Sequence, residues 1–62
     1  MIAAPAPKRF YTIQQIADWL AVSTRTVRRW IHDGLLIAHR INGLVRISES
    51  DFAAFLAARR ED

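Results

Sequence analysis

Residues 22–34, with the sequence VSTRTVRRWIHDG, decide the fold of this 62-residue chain. If the segment is an α-helix, each residue turns about 100° from the last, and apolar and basic side chains separate onto opposite faces. The apolar face consists of Val27, Trp30 and Ile31. The opposite face consists of Arg25, Arg29 and His32, with Arg28 at its edge. The segment therefore predicts an amphipathic helix that packs through one side and presents positive charge on the other.

The flanking residues set the ends of this helix. Ser23 is a typical N-cap, and Gly34 suits the left-handed position that ends a helix, so the helix is predicted over residues 24–33. Only the link AVS, residues 21–23, separates it from an earlier helix, and Val22 in that link is predicted to be buried. Two short helices joined in this way cross steeply, which predicts a helix-turn-helix arrangement.

The earlier helix is indicated by TIQQIADWLAV, residues 12–22. Thr12 and Gln15 have the spacing of a capping box, in which each side chain bonds the backbone of the other. The side chains that share its apolar face are Ile13, Ile16, Ala17 and Leu20. Trp19 lies at the edge of that face, which favours packing against the domain over stacking on a base.

Two β-rich runs follow in LLIAHRINGLVRI, residues 35–47, around the pair Asn42-Gly43. This pattern predicts a β-hairpin, the wing. A two-residue turn would pair Arg40 with Val45 and mix polar with apolar residues on each face. We therefore expect a three-residue loop that ends at Gly43 and pairs His39 with Val45. That register places Ile37, His39, Val45 and Ile47 on one face and Arg40, Leu44 and Arg46 on the other.

The sequence SESDFAAFLAARRED, residues 48–62, predicts a last helix capped by Ser48 or Ser50. Phe52, Phe55 and Leu56 form an apolar stripe on it, and its two aromatic side chains are expected to close the core. The predicted fold is mainly α with a small β-hairpin, a compact winged helix-turn-helix over residues 10–62. Residues 1–9, which hold two prolines and no periodicity, are predicted to be a flexible arm.

Length and composition exclude several classes of function. A chain of 62 residues buries only about 60% of its unfolded surface and has little room for a water-excluding cleft, which argues against an enzyme. With no cysteine, and two histidines without ligands at metal spacing, we expect no metal and no cofactor. The chain lacks a secretory signal and any run of about 18 apolar residues, so a cytoplasmic protein without membrane contact is expected.

Positive charge is concentrated in one part of the chain. Residues 8–46 hold seven basic and two acidic groups, a net charge of +5, while residues 47–62 hold two basic and four acidic groups, a net charge of −2. Eight of the nine basic residues are arginine. This asymmetry is expected for a domain that meets a polyanion such as DNA through its basic part.

The segment YTIQQIADWLAVSTRTVRRWIHDGLL, followed by INGLVRISESDF, resembles the excisionase-type helix-turn-helix proteins, a winged-helix branch related to the MerR regulators. The resemblance covers residues 10–57 and rests on the order and spacing of IADWLAVS, TVRRWI, Gly34, the hairpin and ISESDF. Ala21 departs from it, because such turns usually carry glycine. The resemblance implies that the second helix enters the major groove and that the wing lies over neighbouring backbone or minor groove.

The candidate DNA contacts follow from this placement. A guanidinium group can bond the edge of a guanine base, and the hydroxyl and N–H groups in the first turn of a helix can bond phosphates. The wing and the arm are expected to reach flanking DNA. The base-reading candidates are Arg25, Arg28 and Arg29. The phosphate-binding candidates are Ser23, Thr24, Thr26, Arg40, Asn42 and Arg46. Minor contacts are assigned to Lys8, Arg9 and His32. Arg46 has a structural alternative, an ion pair with Asp51 or Glu49, and His39 is expected to be a half-buried hairpin residue.

The resemblance implies an excisionase, which binds cooperatively, bends an attachment site and directs an integrase towards excision. Double-stranded DNA, an integrase and head-to-tail copies of the same protein are the expected partners. A small transcription regulator of the same fold is the main alternative. A third hypothesis is an interaction module or antitoxin that grips a partner through the last helix, and an apolar patch exposed on that helix would favour it.

Overall fold

Three helices and a three-stranded antiparallel sheet form the described part of the chain, residues 9–59, in the computed structural model. The elements are β1 (Phe10–Tyr11), α1 (Ile13–Leu20), α2 (Thr24–His32), β2 (His39–Ile41), β3 (Leu44–Ser48) and α3 (Glu49–Ala58). The predicted winged helix-turn-helix architecture is confirmed. Most of the predicted arm, including Lys8, lies outside the described residues.

The capping box predicted for α1 is present. The backbone N–H of Gln15 donates to Thr12 Oγ1 at 3.0 Å, and the backbone N–H of Thr12 donates to Gln15 Oε1 at 2.9 Å. Ile16 and Ala17 are buried and Ile13 and Leu20 pack partly buried against the same core, so the predicted apolar face is correct.

Both helices of the motif end in the same hydrogen-bonded turn. After α2, the N–H groups of Gly34 and Leu35 donate to the carbonyls of Ile31 and Trp30, with Gly34 at φ 79°. This is the Schellman arrangement, in which a left-handed residue satisfies the last carbonyls. After α1, Ala21 occupies the equivalent position at φ 59° and ψ 44°. The sharp turn between α1 and α2 therefore depends on an alanine in a left-handed conformation.

The core is small and draws on all three helices, on β3 and on the segment between α2 and β2. Its buried apolar residues are Ile16, Ala17, Val27, Leu36, Ile47 and Phe55. Trp30 of α2 packs on the Phe55 ring with centroids 4.9 Å apart, so the apolar face of α2 meets α3. Val22 is half-buried rather than fully buried. Trp19 has the expected packing role against Tyr11, with ring centroids at 4.8 Å, although it remains 53% exposed.

The sheet contains a strand that the sequence did not predict. β1 pairs with β3, with Phe10 opposite Ser48 and Tyr11 opposite Ile47, so the strand order is β1-β3-β2. The backbone carbonyl of Arg9 also accepts a hydrogen bond from the N–H of Glu49 at 2.9 Å. A two-residue strand is too short to show a periodic pattern. It ties the start of the described chain to the junction between β3 and α3.

The predicted register of the wing is wrong. Arg40 pairs with Val45, His39 with Arg46 and Ile41 with Leu44, across a two-residue turn. Asn42 at φ 52° and Gly43 at φ 80° both adopt positive φ, as a type I′ turn requires, and this turn matches the right-handed twist of paired strands.

The prediction assumed that apolar and polar side chains separate onto the two faces of the hairpin. This separation does not set the register because all three residues of β2 are exposed. A strand without a buried face gains nothing from placing apolar residues on one side, so the turn chemistry determines the register. Arg40 consequently shares a face with Val45, and His39 shares the other face with Arg46.

Ser48, one of the two predicted N-cap residues, caps α3. Its Oγ accepts a hydrogen bond from the backbone N–H of Asp51 at 3.1 Å. Phe55 is buried and Phe52 is half-buried. The core positions predicted for the two aromatics are therefore correct, while Leu56, the third member of the stripe, is 41% exposed. A core this small is already closed by the two phenylalanines, and the third member of the stripe extends past it.

Candidate nucleic-acid interface

The predicted basic face of α2 is exposed. Arg25, Arg28, Arg29 and His32 all face solvent, while Val27 on the other side is fully buried. None of these three arginines forms an ion pair with a carboxylate among residues 9–59. His32 lies 3.4 Å from Asp33, and its side chain is 89% exposed. The helix therefore presents three guanidinium groups with free hydrogen-bond donors.

The first turn of α2 is ordered by its own hydroxyl groups. Ser23 Oγ accepts from the N–H of Thr26 at 3.1 Å and lies 3.1 Å from Thr26 Oγ1. Thr24 and Thr26 are half-buried. The N–H groups of Thr24 and Arg25 precede the first N–H that bonds back to Ser23, so they belong to the free donors of a helix start. The positions predicted for phosphate contact thus offer backbone donors more readily than hydroxyls.

Of the wing residues, Arg40 and Asn42 are exposed and Arg46 is half-buried. Arg46 Nη1 donates to the carbonyl of Val45 at 2.8 Å, which holds the guanidinium close to β3. Among the remaining candidates, Arg9 is exposed and Lys8 lies outside the described residues.

A hydrogen bond that the sequence did not predict joins the wing to α3. His39 Nε2 lies 2.8 Å from Asp51 Oδ2, and Ser48 Oγ donates to the same oxygen at 2.7 Å. The His39 side chain is 47% exposed, so His39 is exposed and not half-buried as predicted. Twelve residues separate His39 from Asp51, and no local pattern links them, so only the folded sheet reveals the contact.

An open groove of about 310 Å³ lies between the start of α1, one side of α2 and β3. Arg28 lines it from α2 and Arg46 lines it from β3. The sequence placed these two arginines in different roles, and the structure brings them to one groove.

Two further findings concern the described residues. No group of three or more histidine, cysteine, aspartate or glutamate side chains within residues 9–59 has a geometry that could hold a metal ion. None of the three helices has the length and apolar character needed to cross a membrane.

Comparison with known proteins agrees with this architecture. The helix-turn-helix domain family matches residues 10–60. The excisionase of Mycobacterium phage D29 is 48% identical over 46 residues, which are 73% of this chain and 82% of the phage protein. No solved structure gives a significant match. The match over nearly the whole described chain and the identity to a phage excisionase together show that this chain belongs to the excisionase-type helix-turn-helix proteins.

Proposed function

We propose that the protein binds double-stranded DNA at specific sequences and acts as an excisionase in the cytoplasm. Copies of it coat and bend an attachment site, and an integrase then carries out excision. The observation that carries the proposal is the exposed face of α2, where three arginines without ion pairs among the described residues lie on the second helix of a helix-turn-helix. In this role the protein contributes the shape of the DNA rather than a catalytic step.

The major groove is wide enough to admit α2, and a guanidinium can donate two hydrogen bonds to the O6 and N7 atoms of guanine. Arg25, Arg28 and Arg29 are the base-reading candidates because their side chains point away from the core. The free N–H groups at the start of α2, with the hydroxyls of Ser23, Thr24 and Thr26 beside them, face the adjacent phosphates.

The wing contributes contacts that position the domain. Arg40 and Asn42 are exposed near the hairpin turn, where they suit the flanking backbone or the minor groove. Arg46 adds positive charge at the base of the wing. Lys8, Arg9 and His32 supply weaker contacts. Phosphate contacts of this kind fix the register of a protein on DNA without reading its sequence.

Cooperative binding follows from the size of the module. One domain of this kind covers about 600–1,000 Å² of protein surface at DNA, which is little for tight specific binding by a single copy. Neighbouring copies that touch head to tail raise one another's effective concentration. Serial contacts along successive grooves also offset the elastic cost of bending, on the order of 1–6 kcal/mol.

The first experiment replaces Arg25, Arg28 and Arg29 together by alanine. The exposed positions predict an unchanged melting temperature and a loss of specific binding in gel shift, with each bidentate contact accounting for about 1–3 kcal/mol. The matched control replaces the same three residues by lysine, which keeps the charge but loses the planar fork. This control should keep salt-dependent nonspecific binding and lose discrimination. Specific binding by the alanine variant at the parental affinity would refute the role of α2.

A second experiment tests the architectural role with probes that carry one, two or three repeats of the bound sequence. We expect a monomer in solution, an affinity that rises with repeat number, and curvature in a circular-permutation assay. Independent binding to straight DNA, or a stable dimer on a single palindrome, would favour a small transcription regulator. An interaction module has less support, because the one large apolar side chain exposed on α3 is Leu56, which is not a patch.

A further inference from the structure

The groove between α1, α2 and β3 is lined by two arginines. Its volume is about 310 Å³. The polar and flexible residues that line it are Thr12, Gln14, Arg28, Gly43 and Arg46, and no acidic side chain is among its lining residues. Two arginines therefore line one open space, and no carboxylate lines it to neutralise them there.

The three arginines of α2 divide into two groups at this groove. Arg28 lines it, whereas Arg25 and Arg29 do not. Arg28 thus extends from the side of α2 that faces the wing, and the other two extend from its outer face. A side chain directed towards the wing is poorly placed to reach a base edge in front of the helix. This division gives Arg28 a different task from that of its two neighbours.

Arg46 is held in position to act with Arg28. Its Nη1 donates to the Val45 carbonyl at 2.8 Å, and this bond uses one of the five donors of the guanidinium. The bond keeps the guanidinium beside β3 and leaves its other donors available to a ligand. The nearby acid Asp18 accepts a hydrogen bond from Gln14 Nε2 at 3.0 Å and does not line the groove.

We propose that Arg28 and Arg46 jointly hold one backbone phosphate of the DNA strand that passes between α2 and the wing. Arg28 is then a phosphate-binding residue, and base reading by α2 falls to Arg25 and Arg29. A phosphodiester suits this groove because it carries one negative charge and accepts charge-assisted hydrogen bonds from two directions. The inference rests on the proposed DNA binding and refines its residue assignments.

The test uses a duplex selected from a random library by the unaltered protein, together with single-base variants of that duplex. Arg28→Ala and Arg46→Ala should each weaken binding about tenfold or more to every variant alike, as loss of a charged hydrogen bond requires. The two losses should not multiply, because both residues serve one phosphate. The salt dependence gives a sharper measure: the double variant should lower the slope by about 1, as for one phosphate, and not by about 2.

Matched controls separate this inference from the general one. Arg25→Ala and Arg29→Ala should change the preference at particular base pairs, which Arg28→Ala should leave intact. Because Arg46 is half-buried, Arg46→Ala can also lower the stability of the fold. Arg28→Lys and Arg46→Lys retain the charge, and they should restore a salt-dependence slope near that of the parent. A relaxed preference at one base pair in Arg28→Ala, or a slope reduced by about 2 in the double variant, overturns the shared phosphate and leaves DNA binding in place. Failure of the unaltered protein to bind any duplex overturns both.

Discussion

Replacing Ala21 by glycine should stabilise the protein. Ala21 has φ 59° and ψ 44°, a left-handed conformation that costs an L-residue about 1–2 kcal/mol. Glycine removes this cost but gains about 0.4–1 kcal/mol of freedom in the unfolded chain. At the midpoints of these two ranges, the net stabilisation is about 0.8 kcal/mol. No core contact is lost because Ala21 is exposed, and its hydrogen bond to Asp18 involves only the backbone.

Thermal unfolding followed by circular dichroism measures this effect. For a domain of this size about 1 kcal/mol moves the melting temperature by roughly 4–8 °C, so Ala21→Gly should raise it by about 3–6 °C. The matched control is Gly34→Ala at the same position after α2. Gly34 has φ 79°, and a Cβ built there meets no atom within 4 Å. The backbone strain of a left-handed alanine should therefore outweigh the smaller gain from a less flexible unfolded chain, and the melting temperature should fall. A fall in both variants would refute the left-handed turn at Ala21.

Two further changes test the core and the wing. Ile16→Ala empties a fully buried site and should destabilise the domain by about 2–5 kcal/mol in urea unfolding, whereas a loss below about 1 kcal/mol would contradict the packing. His39→Ala removes the contact of 2.8 Å with Asp51, which should lower stability by less than about 1 kcal/mol and speed amide exchange in the wing. His32→Ala, at a histidine that is 89% exposed, is its control, and equal exchange in both variants would show that the contact does not hold the wing.

Local chemistry explains which parts of the fold could be predicted from the sequence. Some features depend only on residues that are close together in the sequence. They are the capping box of Thr12 and Gln15, the N-cap at Ser23 and the glycine at residue 34. The separation of apolar and basic side chains on α2 also follows from its own periodicity. The helix-turn-helix and its exposed basic face were therefore predictable.

Contacts between distant segments explain the rest. The pairing of β1 with β3 and the contact of His39 with Asp51 exist only after the sheet has formed. The wing register was predicted from a face that β2 does not bury, and the positive φ of Asn42 and Gly43 outweighed it. The groove shared by Arg28 and Arg46 depends on how α2 sits against β3, which no spacing along the chain reveals.

In the proposed DNA complex, the short length of α2 limits how many base pairs one copy can read. Nine residues at 1.5 Å each extend about 13.5 Å. Base pairs follow one another about every 3.4 Å, so such a helix lies beside about four of them. Four base pairs recur by chance about once in 256 positions, whereas a genome offers about 10⁶–10⁹ competing positions. In the proposed cooperative array, the number and spacing of the repeats would distinguish the site from competing DNA. One inserted base pair rotates the next repeat by about 36° around the duplex. Such an insertion should therefore weaken cooperative binding more than one altered base does.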